Sequence, residues 1–283
     1  MRILLTGRAG QVGSALERAL APLGEVCAFD RQGFDLLRPV EFRKAIGELN
    51  PAAIVNAAAY TAVDRAESEA DLAFKVNSAA VGGLALAARS IGALLVHFST
   101  DYVFDGEKAS PYVESDAPNP LNVYGRSKLE GERAIAASGC RYLVFRTSWV
   151  YAPSGRNFLR SILAAARTQP ELRVVDDQHG APTSSLDIAA AVARVLAAPD
   201  LAKKGGFYHM TAGGETTWHG FARAILDAKG IRTPLVAIPS TEYPTAARRP
   251  RNSRLSSAKL AADFGVALPD WREGLAAVLR AVD

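Results

Sequence analysis

In the first half of the chain, short apolar runs with strand character recur at Arg2–Thr6, Glu25–Phe29, Ala53–Asn56, Leu94–Ser99 and Tyr142–Thr147. Between them, apolar positions fall at helical spacing over Gln11–Ala21, Val40–Leu49, Leu72–Ser90 and Tyr124–Ser138. Strands that alternate with amphipathic helices predict right-handed crossovers and a parallel, doubly wound sheet with both faces covered. After Val150 the pattern changes. Loops such as "YAPSGRN", "DDQHGAPTSS" and "IPSTEYPTAARRPRNSR" interrupt helical spacing at Phe158–Arg167, Ser185–Leu196, Trp218–Lys229 and Arg272–Ala281. The pattern therefore predicts an α/β sheet domain over residues 1–150. A smaller, mostly helical substrate lobe over 151–283 follows, with short segments returning to the sheet.

Composition narrows the function without naming it. The 283 residues are 49% apolar and 22% charged, as in an ordinary folded domain, and the net charge of +4 is too mild for an electrostatic nucleic-acid binder. Cys27 and Cys140 are far apart and outside any metal-binding spacing, which suits reduced thiols. With no signal-like or membrane-spanning apolar stretch, the expected location is the cytoplasm, with no membrane partner.

The first strand runs directly into "TGRAGQVG", which places Gly7, Gly10 and Gly13 three residues apart before a helix that opens at Gln11. Such a turn aims several unpaired N–H groups of the helix start toward one point that favours phosphate. The glycines serve the tight turn, the close approach of a pyrophosphate and the packing of helix on strand. Asp30 ends the second strand, where a carboxylate meets an adenosine ribose. Arg31 follows at once and suits a 2′-phosphate instead, so the choice between NADPH and NADH stays open. The predicted fold is Rossmann-type and the predicted ligand a dinucleotide.

Tyr124 and Lys128 lie one helical turn apart on one face. An ammonium beside a phenol stabilises the phenolate and lowers its pKa, which is expected of a general acid. Thr100 and Asp101 close the fourth strand at its carboxyl end, where open α/β sheets hold their ligands, and Thr100 is placed to hold a substrate carbonyl. "VNAAAYTAVDRAE" ends the third strand in small side chains that let a cofactor lie across it.

With these motifs in hand the chain resembles the extended short-chain dehydrogenase/reductase superfamily and, within it, the dTDP-4-dehydrorhamnose reductase family. "NAAAYTAVDRAES", "STDYVFDG", "PLNVYGRSKLEGE", "FRTSWVYA", "DDQHGAPTS", "YPTAARRPRNSRL" and "LPDW" carry the likeness from end to end. The resemblance implies cofactor contacts from Gly10, Gln11, Val12, Asp30, Asp35, Leu36, Ala59, Tyr60 and Thr61. It implies a catalytic set of Thr100, Tyr124 and Lys128, and sugar contacts from Thr100, Asp101 and Trp149. The implied reaction is hydride delivery to the C4 ketone of dTDP-4-dehydro-β-L-rhamnose.

Arg248, Arg249, Arg251 and Arg254 form a basic loop suited to the substrate diphosphate, with one or two of them expected to touch it. Asn157 and Thr183 are weaker candidates for the same pocket. Some relatives form dimers bridged by magnesium through glutamates. Here Ala15 and "SSLD" stand at those places, and Asp187 is the nearby carboxylate. The expectation is therefore no metal, and a monomer or a dimer built another way. Two rival readings are a non-catalytic regulator like the methionine adenosyltransferase β subunit, and a reductase of another dTDP-4-ketosugar.

Overall fold

The computed structural model describes residues 1–282. Strands β1 (Arg2–Thr6), β2 (Glu25–Phe29), β3 (Ala53–Asn56), β4 (Leu94–Thr100) and β5 (Arg141–Thr147) form one parallel sheet, which the Gly206–His209 strand extends beyond β5. The order across the sheet is Gly206–His209, β5, β4, β3, β1, β2. The chain steps outward from β1 to β2 and then crosses to β3 on the other side of β1. That reversal opens a crevice at the carboxyl ends of β1 and β3, where Thr6 and Asn56 are register partners.

The helices are α1 (Gln11–Leu20), α2 (Pro39–Leu49), α3 (Val63–Ala66), α4 (Ala70–Phe74), α5 (Ala80–Ser90) and α6 (Val123–Ser138) in the first half. They continue with α7 (Phe158–Ala165), α8 (Ser185–Leu196), α9 (Trp218–Ala228), α10 (Ala258–Phe264) and α11 (Trp271–Val282). Alternate strand residues point to opposite faces of the sheet. Ile3, Leu5, Val55, Val96 and Phe145 meet α1, α8 and α10 on one face. Leu4, Ile54, Leu95 and Val144 meet α2, α5 and α6 on the other. A third core, around Tyr151, Phe221, Trp271 and Leu275, gathers α7, α9 and α11 into the smaller lobe. A parallel strand pair, Leu172–Val175 with Leu235–Ile238, flanks it.

Two features are not evident from hydrophobic spacing. Helix α8 lies between lobe segments in sequence yet packs on α1 in the sheet core. The predicted Leu72–Ser90 helix is interrupted by a π turn at Lys75–Ala79, between α4 and α5. A π turn adds a residue to one loop of the helix and redirects the side chains there. Among the described residues, no helix is long and apolar enough to cross a membrane.

Candidate active site

The glycine turn is built for close approach. Gly7 has φ of +75°, and a Cβ on it would sit 2.6 Å from the Ala58 nitrogen. A Cβ on Gly13 would lie 2.0 Å from the Gly7 oxygen, so the start of α1 can rest on the turn only if residue 13 has no side chain. Gly10 is exposed, and no side chain caps the N-terminus of α1. Buried Gln11 Oε1 has no hydrogen-bond partner. Free amide donors, a bare backbone and an orphaned acceptor fit a dinucleotide pyrophosphate and its ribose.

At the end of β2, Asp30 Oδ1 accepts from the backbone N–H groups of Gln32 and Gly33 at 2.9 and 3.1 Å. One carboxylate oxygen is thus engaged by its own turn, while Arg31 is exposed beside it. Asp35 Oδ1 likewise accepts from Leu37 N–H at 3.0 Å, and Leu36 is buried. Beyond β3, Ala59 and Tyr60 are half-buried and Thr61 exposed. Asn77, in the π turn, accepts from Tyr60 N–H at 2.9 Å and donates to the Tyr60 carbonyl at 3.0 Å and to Ser127 Oγ at 3.0 Å. The π turn therefore fixes the strand-end loop against α6.

Helix α6 is pinned at its start. Asn122 Oδ1 caps the Gly125 N–H at 2.8 Å, Glu67 accepts from Val123 N–H at 2.8 Å, and Asn122 Nδ2 donates to the Arg248 carbonyl at 2.8 Å. A Cβ on Gly125 would be 2.2 Å from the Tyr102 oxygen, so the helix docks directly on the end of β4. This places half-buried Tyr124 against Tyr102, with ring centroids 6.0 Å apart and edge to face. The Thr100 hydroxyl donates to Asp101 Oδ1 at 3.1 Å and accepts from Tyr102 N–H at 3.1 Å, and it stands near enough to the Tyr124 phenol to favour that phenol's charged form. Asp101 Oδ2 is buried without a partner.

The electrostatics differ from a simple phenol and ammonium pair. Desolvation, with the Asp101 carboxylate second, pushes the Tyr124 phenol well above its ordinary range, although the Thr100 hydroxyl opposes this. Asp101 is itself raised to about 7, by burial, and is partly held down by Ser253 and Thr100. Lys128 is lowered to about 8 by burial, with Glu132 opposing. Its Nζ donates to the Phe98 carbonyl at 2.6 Å and lies 3.2 Å from His97 Nε2. Burial thus dominates at Tyr124, with Asp101 adding to it, so the phenol is held protonated and does not show the depression expected from the Tyr124 and Lys128 spacing.

The lobe side is more tightly bound up than its composition suggests. Trp149 takes a left-handed φ of 48°, rare for a bulky residue. It stacks on Trp218 with centroids 3.7 Å apart and lies where a Cβ on Gly180 would be, 2.5 Å from its ring. Asn157 caps α7 and donates to the Ala152 carbonyl at 3.0 Å, and Thr183 accepts from Ala212 N–H and donates to the Ala181 carbonyl. Arg249 is paired with Asp64 at 2.7 Å, and Arg254 with Glu215 at 2.7 Å. Exposed Arg248 faces Glu107 at 3.7 Å, and Arg251 is exposed as well.

The sequence reading missed Asn77, His97, Asp64, Ser253 and the buried pair of Glu132 with Arg146, joined at 2.6 Å. Two of these left a trace in the chain. Glu132 continues the four-residue step from Tyr124 through Lys128, and His97 is a lone polar letter inside the apolar run "LLVHF".

Comparison with known proteins places this geometry in a lineage. Residues 1–283 match the family model described as the RmlD substrate binding domain. A Burkholderia thailandensis protein named dTDP-4-dehydrorhamnose reductase is 47% identical, over 99% of this chain and 98% of its own length. A protein of the same name from Escherichia coli K12 is 45% identical, over 99% and 97%. A solved dTDP-4-dehydrorhamnose reductase from Bacillus anthracis, in complex with NADP, superposes with a TM-score of 0.94 at 32% identity, covering 99% of this chain and 98% of that one. From its end-to-end match and these relatives, the chain belongs to the RmlD substrate binding domain family.

Proposed function

We propose that this chain reduces the C4 ketone of dTDP-4-dehydro-β-L-rhamnose to dTDP-β-L-rhamnose, with NADPH as electron donor and NADH as an alternative. The observation that carries the reading is the meeting of Thr100, Asp101 and Tyr124 at the carboxyl end of β4, close to the switch point of the sheet. The relatives' shared name and the NADP in a solved relative support the substrate and the cofactor. When bound, a reduced nicotinamide supplies the hydride. Thr100 holds the ketone oxygen beside Tyr124, and Tyr124, kept neutral by burial and by Asp101, donates its proton to the oxyanion left at C4. The free oxygen of Asp101 accepts from a sugar hydroxyl, Trp149 forms an apolar wall, and Arg248 reaches the diphosphate. Lys128, on the same face of α6, orients the nicotinamide ribose.

Ala15 points into the sheet core, so position 15 offers a metal ion no ligand and no magnesium bridge is invoked. A nucleotide-sugar substrate together with reduced Cys27 and Cys140 suits the cytoplasm. The direct test supplies dTDP-4-dehydro-L-rhamnose with each reduced cofactor and follows the nicotinamide absorbance. Turnover is expected with wild type, and Tyr124→Phe is expected to lower kcat roughly 10²- to 10⁴-fold with cofactor affinity kept. An unreactive wild type overturns the reading, and a Phe variant at near-normal rate removes Tyr124 from the proton-donor role.

A further inference from the structure

The loop "YAPSGRN", between the Val150–Tyr151 strand and α7, takes part in no step above. Its shape is fixed from within. Asn157 Nδ2 donates to the Ala152 carbonyl at 3.0 Å and to the Ser154 carbonyl at 3.3 Å, and Arg160 Nη1 donates to the Pro153 carbonyl at 3.0 Å. Asn157 is buried, so its bonds are largely shielded from water. Gly155 takes a φ of +78°, in the left-handed region that favours glycine, and the loop turns there. Ser154, Gly155 and Arg156 form its exposed tip.

That tip leans on the glycine turn. A Cβ on Gly155 would lie 3.7 Å from Cγ of Gln11, an ordinary van der Waals distance, so the lobe and the start of α1 touch at this point. The Gln11 side chain that receives it carries a buried oxygen without a partner. Gln11 also opens the helix, where the N–H groups are unpaired and no side chain caps them. A pyrophosphate held there brings two negative charges. The turn itself has no cation to spare for them, because Arg8 is paired with Glu17 at 3.0 Å and the first turn of α1 holds no charged side chain. Arg156 follows the residue that touches Gln11, and among the described residues it has no ion-pair partner.

We propose that residues 152–157 are the lobe's share of the dinucleotide site, with the Arg156 guanidinium donating to the cofactor pyrophosphate that the start of α1 holds. The inference rests on the dinucleotide part of the reading above and adds a residue to it. A guanidinium offers a diphosphate paired donors and a full charge, where backbone amides offer partial charges alone. The diphosphate of the sugar nucleotide shares this chemistry, but the contact with Gln11 assigns Arg156 to the cofactor, and Arg248, on the basic loop, serves the other. Because the tip belongs to the lobe and the turn to the sheet, the bound pyrophosphate joins the two halves of the molecule.

Calorimetric titration of the full-length protein with NADPH, ADP-ribose, adenosine 2′-monophosphate and dTDP tests this without turnover. Arg156→Ala is expected to weaken NADPH and ADP-ribose about tenfold, because both carry the pyrophosphate, and to leave adenosine 2′-monophosphate and dTDP within about twofold. Arg156→Lys keeps the charge without the fork and is expected to recover part of the loss. The loss should shrink as salt is added, and both variants should unfold at the wild-type Tm, since Arg156 is exposed. An ADP-ribose affinity that does not move overturns the proposal. A loss confined to dTDP also overturns it, by giving the guanidinium to the substrate, as does an equal loss for adenosine 2′-monophosphate, which would mean a general effect of charge. A wild type that binds neither NADPH nor ADP-ribose overturns the dinucleotide reading as well, whereas a wild type that binds both beside an unmoved variant overturns this proposal alone.

Discussion

At the scale of single residues, the site keeps a carboxyl group where burial disfavours its charge. Asp101 is 4% exposed, its Oδ2 has no partner, and its pKa is raised to about 7 chiefly by desolvation. The sign of the pH dependence follows. Between the ordinary aspartate range, near 4, and about 7, the folded protein holds a proton that the unfolded chain has released, so this group's contribution to stability falls as pH rises through that window and levels off above it. Asp101→Asn has no charge to bury and still offers an oxygen to Thr100. Thermal unfolding should therefore give the Asn variant a Tm at least equal to wild type at pH 8, with less advantage at pH 5. Each kcal/mol is worth roughly 2–4 °C in a protein of this size. The same change should raise KM for the sugar about tenfold or more, because a charged acceptor is lost. A Tm at pH 8 that drops in the variant would show the carboxylate to be stabilising, and Asp101 would then be a structural acid. Stability given up at one buried group and recovered as function is a common bargain in active sites.

At the scale of elements, the two later glycines of the first turn separate binding from folding. Gly13 has no room for a Cβ, with the Gly7 oxygen 2.0 Å away. Gly10 has ordinary extended angles of φ −80° and ψ 169°, and its added Cβ would meet the Gly7 oxygen at 3.2 Å. Gly13→Ala should therefore lower Tm and weaken cofactor binding together. Gly10→Ala should leave Tm within a degree or two and weaken NADPH about tenfold, since its Cβ would occupy the face offered to the pyrophosphate. Fluorescence titration beside thermal unfolding separates the two, and equal Tm losses would show that Gly10 is a folding position.

The same scale explains what could be read from the chain. The five strands of the first half emerge from apolar runs within a residue of their observed ends, because a covered parallel strand is written in consecutive apolar letters. The turn glycines and the Tyr124 and Lys128 step are legible because both are local spacings. The π turn at Lys75–Ala79 is not, since one extra residue in a loop of helix leaves the apolar rhythm almost unchanged. The place of α8 is not either, because periodicity shows an apolar face without naming what covers it. Asn56, His97 and Lys128 lie 41 and 31 residues apart along the chain, and only strand register brings them together.

At the scale of the whole molecule, the basic loop over residues 248–254 is fastened to the segment that follows β3. Asp64, in α3, accepts from Ala247 N–H at 3.1 Å, across 183 residues of chain, and from the two terminal Arg249 nitrogens at 3.1 and 2.7 Å, across 185. Asn122 holds the Arg248 carbonyl at the start of α6, and Asn252 donates to the Lys108 carbonyl at 2.6 Å and the Ser110 carbonyl at 3.0 Å. The basic loop is thereby laid beside Asp101, where Ser253 is one of the groups that stabilise its charge. Arg249, a candidate phosphate ligand in the sequence, is paired here with Asp64, which its guanidinium holds below the usual carboxylate range. The pair is partly exposed, with 22% of the Arg249 side chain and 45% of the Asp64 side chain accessible, so screening keeps its coupling on the order of 1 kcal/mol. That is enough to set the loop's position without deciding whether the protein folds. Asp64→Asn and Arg249→Lys should each raise KM for the sugar about three- to tenfold, leave the NADPH dissociation constant nearly unchanged, and combine less than additively in the double variant. Additive losses, or a cofactor affinity that falls as far as the substrate affinity, would mean that the pair acts on each loop separately and that the two sides of the crevice are not tied through it.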